Sequence, residues 1–336
     1  MTEQWPPVSV VMTVVNEERH LRQSVERLLQ QDYPGELDIV IAVGPSKDRT
    51  REVAQAIEAA NSHVHVVDNP TGKTPSGLNA AIARTTSDIV VRIDGHAMVP
   101  PGYVRTGVEV LRDTGADNVG GIMAAEGTTE FERGVARAMT SRFGVGGAAF
   151  HVGGEPGPAL TVYLGCFRRS ALERVGGYDD SMERAQDWEM NLRIRQSGGV
   201  VWFTPDMHVT YRPRPNIKAL ARQYHDYGRW RREVMRRHPD TVSLRYLAAP
   251  VAVAGVTAGV VLAGVGAAAR QPWLVALGLS APVGYALLDL GASAQSAATS
   301  PRLPWREAAH LPAIYATMHG SWGLGFMRGR PRRAGG

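Results

Sequence analysis

The sequence predicts an α/β fold: a mostly parallel sheet covered on both faces by helices, followed by a transmembrane helical hairpin. Three observations predict it. Apolar runs of strand length alternate with helical patterns through the amino-terminal third, as repeated strand–helix–strand units require. A polar cluster follows each of those runs, and in open parallel sheets ligands gather at the carboxyl ends of the strands. Residues 246–269 contain no charged side chain, and about 20 apolar residues suffice to cross a bilayer.

The elements follow in order. VSVVMTVV (8–15) lacks alternation and reads as a strand buried on both faces. The next segment, NEERHLRQSVERLLQQ, sets Leu21, Val25, Leu28 and Leu29 on one helical face. LDIVIAV, VHVV and DIVVRID are the next strands, with helices expected from about 49, near 76–85 and from Pro101. Residues 143–158, FGVGGAAFHVGGEPGP, are too glycine-rich for a regular element and predict a mobile loop over a site. A helix starts at QDWEMNLRIR.

From 212 the chain turns basic, with ten Arg or Lys against three Asp or Glu up to 245. Ile217, Leu220, Tyr224, Tyr227 and Val234 form an apolar stripe with arginines opposite, the pattern of an amphipathic helix at a membrane surface. The uncharged stretches 246–269 and 272–288 make the hairpin, the second extendable through the small residues after Asp289. A third, 308–327, is expected to lie in the interface, because the basic residues before the hairpin and the tail RGRPRR both favour the cytoplasmic side. The expected division is a catalytic domain over 1–215, an interfacial region over 216–245, and the membrane hairpin with an interfacial or third membrane helix over 246–336.

Charge and cysteine content narrow the function. The net charge of +5 is concentrated beside the membrane segments, where it meets anionic headgroups, so nucleic acid is not the expected partner. MTEQWPP leads directly into a strand, without a signal peptide, and the amino-terminal part is expected to face the cytoplasm. The single cysteine, Cys166, excludes an internal disulfide and a cysteine-based zinc site, and is read as packing. At the end of the fourth strand Asp94 and His96 straddle Gly95, so a carboxylate and an imidazole can point to one side and hold a divalent cation, Mn²⁺ or Mg²⁺. A turn Asp beside an exposed His is the plainer alternative.

VSVVMTVVNEE, GPSKDRT, VRIDGHA, YLGCFRRSALERVGGYDDS and QDWEMNLRIRQSGG resemble, in order and spacing, the motifs of inverting family 2 glycosyltransferases with the GT-A fold. The resemblance covers about residues 8–240. It is closest to membrane-attached bacterial enzymes of the succinoglycan-biosynthesis type, which share the D-[AG]-H form and a stretch like RQYHDYGRWRR. It implies a GT-A catalytic domain and a metal at Asp94 and His96 that neutralises the donor diphosphate, with His208 as a further ligand. It assigns Asp48 to the nucleobase or ribose, with a helix cap as the alternative, and Glu17 to the nucleotide pocket, with a first-turn carboxylate as the alternative. Lys73 would touch base or phosphate, while Gly165 and Arg168 would lie near the donor sugar or acceptor. Asp187 would be the general base that deprotonates the acceptor hydroxyl, with Glu189 as fallback. Arg229 and Trp230 match a relaxed Q-x-x-R-W motif, for the leaving diphosphate and the acceptor wall.

The implied function is transfer of a sugar from a nucleotide-diphospho-sugar, UDP-sugar favoured, to a lipid-linked polyprenyl acceptor. It would serve cell-envelope or extracellular polysaccharide synthesis, on the inner membrane with the catalytic domain facing the cytoplasm. Two other readings stand beside it: a polyprenyl-phosphate monosaccharide synthase, and a non-catalytic membrane scaffold that kept the fold.

Overall fold

The computed structural model describes residues 5–329. The basic tail beyond Gly329 lies outside the described residues. The chain divides into two compact units, one built from the chain up to Ala124 together with Ala148–Tyr211, the other from Ala125–Gly147 and the chain from Arg212 onward. Residues 125–147 thus belong to the second unit although the chain on both sides of them belongs to the first.

In the first unit, β1 (Val8–Val14), α1 (Leu21–Leu29), β2 (Leu37–Val43), α2 (Thr50–Ala60), β3 (Val64–Asp68), α3 (Thr74–Arg84) and β4 (Ile89–Arg92) follow the expected alternation. Next come α4 (Tyr103–Thr114) and β5 (Asn118–Ala125). After an excursion into the second unit through α5 (Glu130–Met139) and α6 (Arg142–Val145), the chain returns as α7 (Ala149–Val152), β6 (Gly157–Pro158), β7 (Tyr163–Arg168), α8 (Arg169–Val175), α9 (Gln186–Gln196) and β8 (Val201–Tyr211). The eight strands form one sheet in the order β3-β2-β1-β4-β7-β5-β8-β6. The first four are parallel, whereas β7 runs antiparallel to both β4 and β5. The sheet is therefore mixed rather than mostly parallel.

Both faces of the parallel half are buried, which explains the unbroken apolar runs. Val8, Val10, Met12 and Val14 of β1 point into a core with Leu21, Val25 and Leu28 of α1, and Val104, Val108 and Leu111 of α4. Val11 of β1 and Val40 and Ala42 of β2 point to the other face, against Leu78 of α3 and Met190 and Ile194 of α9. Cys166 is buried and free, with its thiol pushed up by burial, and packs against Gly107 of α4. The glycine-rich stretch contributes α6, α7 and β6, short elements where none was expected.

The second unit is helical. α10 (Ile217–Arg237) crosses α14 (Leu311–Arg328) at near backbone contact: a Cβ on Gly228 would lie 2.0 Å from the Trp322 carbonyl oxygen, and one on Gly325 2.0 Å from that of His225. α11 (Ala248–Ala268) and α12 (Pro272–Ala298) form the expected hairpin, drawn together where Gly259 and Gly278 face each other. Both are long and apolar enough to cross a membrane, and only 17% and 11% of their most apolar windows are buried, unlike the core helices of a soluble domain. α12 runs past Leu288, with Asp289 turned inward. The third uncharged stretch begins at the last residue of the short α13 (Trp305–Ala308) and forms most of α14, whose Leu311, Ile314, Tyr315 and Met318 are buried. Glu307 of α13 pairs with Arg133 of α5 at 2.5 Å.

Candidate functional site

The site grows from the carboxyl ends of the parallel strands. Shortly after β1 comes Asn16, a non-glycine residue at φ 56, whose Oδ1 accepts from the Lys47 amide at 2.8 Å and whose own amide donates to Ser46 Oγ. Asn tolerates this left-handed conformation better than most residues, and it ties the loops after β1 and β2 together. Gly95 follows β4 and packs so closely that a Cβ would meet Val14 Cγ1 at 2.5 Å. The Asp94–Gly95–His96 turn is thereby pressed onto the end of β1.

Its two flanking side chains take different partners. Asp94 Oδ1 accepts from Arg92 Nη2 at 3.0 Å, and its second oxygen has no hydrogen-bond partner among the described residues. His96 Nδ1 lies 2.8 Å from Glu17 Oε1. With Glu17 as acceptor the proton lies on Nδ1, the arrangement in which a carboxylate orients a metal-binding imidazole. Glu17, expected in the nucleotide pocket, is thus seated behind His96.

The convergence the sequence most needed is supplied by a residue it did not single out. Arg92, the last residue of β4, is 3% exposed, and buried guanidinium groups demand carboxylate partners. Arg92 Nη2 reaches Asp94 and Nη1 reaches Asp187 Oδ1. The Tyr178 ring lies 6.0 Å from its guanidinium carbon. Acids 93 residues apart in sequence thus share one cation, and the neighbouring negative charge of Asp94 holds the guanidinium pKa up against the burial that would lower it. A lone arginine ending the apolar run IVVR was the signal that could have found it.

Asp187 sits in the first turn of α9, entered through Ala185 at φ 60. A third non-glycine residue at positive φ, Leu164 (φ 57), lies on β7 next to Gly165, which pairs with Arg92 in the register. Strained backbone of this kind, which persists only where the surroundings over-determine it, brackets the Arg92 cluster on two sides.

Other expected residues are placed elsewhere or otherwise occupied. Asp48 Oδ1 accepts from the Thr50 amide at 3.1 Å and hydroxyl at 2.5 Å, and Oδ2 from the Glu18 amide at 3.2 Å. The Thr50 hydroxyl bond, foremost, lowers its pKa. Its carboxylate joins the turn before α2 to the loop after β1. Gly165 was expected to leave room for a ligand, yet its missing Cβ would lie 2.5 Å from Asn118 Oδ1 and from the Phe167 ring, so the space belongs to protein packing. Arg168 faces Ile89 at the start of β4, the end away from Asp94, and donates to the carbonyls of Ala116 and Leu111 at 2.9 and 2.5 Å; it is structural. Lys73 Nζ pairs with Glu183 at 3.2 Å, linking the loop after β3 to the approach to α9. Glu189 is buried in a pair with Arg193 and is withdrawn as fallback base.

His208 does not join the Asp94–His96 pair. It is exposed on β8, whose Thr210 bridges to Met98. Among the described residues no three His, Cys, Asp or Glu side chains group as a metal site. The cation donors that remain are Asp94 and His96, which suits an ion that completes its shell with water and substrate phosphates. Arg229 and Trp230 belong to α10 of the second unit, where Arg229 Nε donates to the Gly329 carbonyl at 3.3 Å and Trp230 is buried.

The chain is similar to known proteins in sequence and in fold. Residues 9–176 fit the family model described as glycosyl transferase family 2. The chain is 32% identical over 322 residues, 95% of its length and 93% of the relative's, to the succinoglycan biosynthesis protein ExoA of Rhizobium meliloti. It is 24% identical over 237 residues, 66% of its length and 71% of the relative's, to a Methanococcus voltae glucuronosyltransferase named for a dolichyl N-acetylglucosaminyl phosphate acceptor. Among solved structures, the mannosyltransferase PcManGT of Pyrobaculum calidifontis, in complex with GDP-Man and Mn²⁺, superposes with a TM-score of 0.61 at 19% identity, covering 95% of this chain and 86% of that one. That likeness establishes the GT-A fold.

Proposed function

Given that the chain belongs to glycosyltransferase family 2, we propose that it is an inverting, metal-dependent enzyme that transfers a sugar from a nucleotide-diphospho-sugar to a lipid-linked acceptor. The single observation that carries this reading is the meeting of Asp94 and Asp187 on the buried guanidinium of Arg92 at the carboxyl end of β4. A donor-end acid and an acceptor-end acid are what an inverting displacement needs side by side.

In this reading Asp187 accepts the acceptor hydroxyl proton on the oxygen that Arg92 leaves free. The hydroxyl oxygen forms its bond to the anomeric carbon while the bond from that carbon to the diphosphate oxygen breaks, and the nucleoside diphosphate departs with the electron pair. Asp94 and His96 would hold a divalent cation, with Glu17 orienting the imidazole. Such a cation supplies charge neutralisation for the departing diphosphate. Mn²⁺ is the first metal to test, because the superposing mannosyltransferase carries it.

Two features support a lipid-linked acceptor. α11 and α12 are long and apolar enough to cross a membrane, and a dolichyl-linked saccharide appears in the name of one relative. The retained pairing of Asp94, Arg92 and Asp187 argues against a scaffold that has lost its chemistry, since a scaffold has no use for two partly exposed acids on one buried cation. The experiment is a donor panel of UDP- and GDP-sugars on membranes carrying the wild type or Asp187→Asn, with lipid-linked saccharide and free polyprenyl phosphate as acceptors. Transfer to the saccharide by the wild type alone is expected. Equal transfer by both proteins removes Asp187 as base, and transfer only to free polyprenyl phosphate replaces the acceptor.

A further inference from the structure

We propose that Arg92 is a positioning residue that couples the donor end of the site to the base, by dividing one guanidinium between Asp94 and Asp187. The inference rests on the reading of Asp94 as cation ligand and Asp187 as base, and extends it to a residue that contacts neither sugar nor acceptor.

The geometry makes Arg92 a shared part. Its side chain is 3% exposed, whereas those of Asp94 and Asp187 are 25% and 20% exposed. Both carboxylates are therefore gripped from the buried side and open on the other. Each spends one oxygen on a separate Nη of the same guanidinium, the planar fork that lysine lacks. The arginine itself has little freedom to follow a moving partner. Its backbone is paired to Val11 on one side and Gly165 on the other, Tyr178 closes over its guanidinium, and its Nε is buried without a hydrogen-bond partner.

A shared cation makes its two partners compete. When Asp94 carries no other positive charge, Arg92 divides its pull between the two acids. When Asp94 holds a divalent cation, that carboxylate is already neutralised and the like-charged guanidinium is repelled, so Arg92 commits to Asp187 and fixes its orientation. The base is then best aligned only when the donor end is occupied, which disfavours proton removal in an empty site. Coupling of this kind is reciprocal: what happens at Asp187 must be felt at Asp94, although Asp187 is not itself a ligand. Neutralising Asp187 leaves Asp94 as the one charged partner of Arg92, whose undivided positive charge then opposes the incoming cation.

The test is a double-mutant cycle on the full-length protein in detergent, read by calorimetric titration of UDP with Mn²⁺, with GDP in its place if the wild type prefers it. In the wild-type background Asp187→Asn weakens Mn²⁺-dependent nucleotide binding by roughly five- to tenfold and leaves nucleotide binding without metal unchanged. In an Arg92→Lys background, where a single ammonium cannot grip both acids, the same change shifts binding less than twofold. Equal shifts in the two backgrounds overturn the coupling. If Arg92→Lys does not fold, judged by its thermal transition, Arg92→Gln takes its place. A further readout needs no change at Arg92: an Asp187→Asn protein with unaltered Mn²⁺-dependent affinity also overturns the proposal. A wild-type protein that binds no nucleotide in the presence of Mn²⁺ overturns the functional reading and the coupling with it, whereas tight binding with an additive cycle removes only the coupling.

Discussion

A carboxylate that removes a proton works best with one oxygen held and one free, and Asp187 has that arrangement through Arg92. Asp187→Asn keeps the shape and loses the basicity, so transfer is expected to fall by about 10²–10⁴-fold while calorimetric donor binding stays measurable. Arg168 calls for the opposite test. Both of its hydrogen bonds end on backbone carbonyls at the far end of β4, so Arg168→Gln is expected to cost about 1.5–3 kcal/mol in denaturant unfolding with no change in donor affinity. The acids Asp94 and Asp187 were legible because their motifs carry them. Arg92 was not, because its importance lies in two partners that only folding brings together. Asp48 was legible by its place in GPSKDRT, but its hydrogen bonds were not, because the Glu18 amide that takes its second oxygen comes from the loop after β1.

At the scale of elements, the parallel strands were legible because burial on both faces writes an uninterrupted apolar run, as in LDIVIAV. The antiparallel strands β5, β7 and β8 were not, since glycines and polar residues interrupt them and their partners lie far off in sequence. Leu29 illustrates a limit of periodicity, as it lies at the edge of the α1 stripe and is 40% exposed. The crossing of α10 and α14 depends on absent side chains. Gly228→Ala would press a methyl group onto the Trp322 carbonyl, and a loss of about 1–3 kcal/mol or more is expected, seen as a lower thermal transition in detergent. α7 makes stability depend on pH. His151 is pushed down by burial from its ordinary 6.5 to about 4, and its Nδ1 has no hydrogen-bond partner. Between those values the unfolded chain binds the proton and the folded chain does not, so stability is lost as pH falls from 6.5 towards 4. A His151→Phe variant is expected to show a shallower decline of the thermal midpoint across that window.

At the scale of the whole molecule, one unit carries the mixed sheet with the candidate site and the other carries the helices suited to a bilayer. Leu288 is 75% exposed on α12, and if lipid covers it, Leu288→Arg is expected to oppose insertion by about 2.5–3.5 kcal/mol. The measurement is the fraction of protein resisting alkaline extraction from membranes, and an unchanged fraction would place that face in water. The sequence by itself determined the α/β class, the parallel half of the sheet, the hairpin and the identity of the two acids, because hydrophobic period, segment length and short motifs are local properties. Only the tertiary structure decided which acids share a cation, which arginine joins them and which donates to backbone carbonyls, that His208 does not group with Asp94 and His96, and that residues 125–147 join the second unit. Those outcomes depend on strand order, register and burial, which arise from pairings between residues distant in the chain.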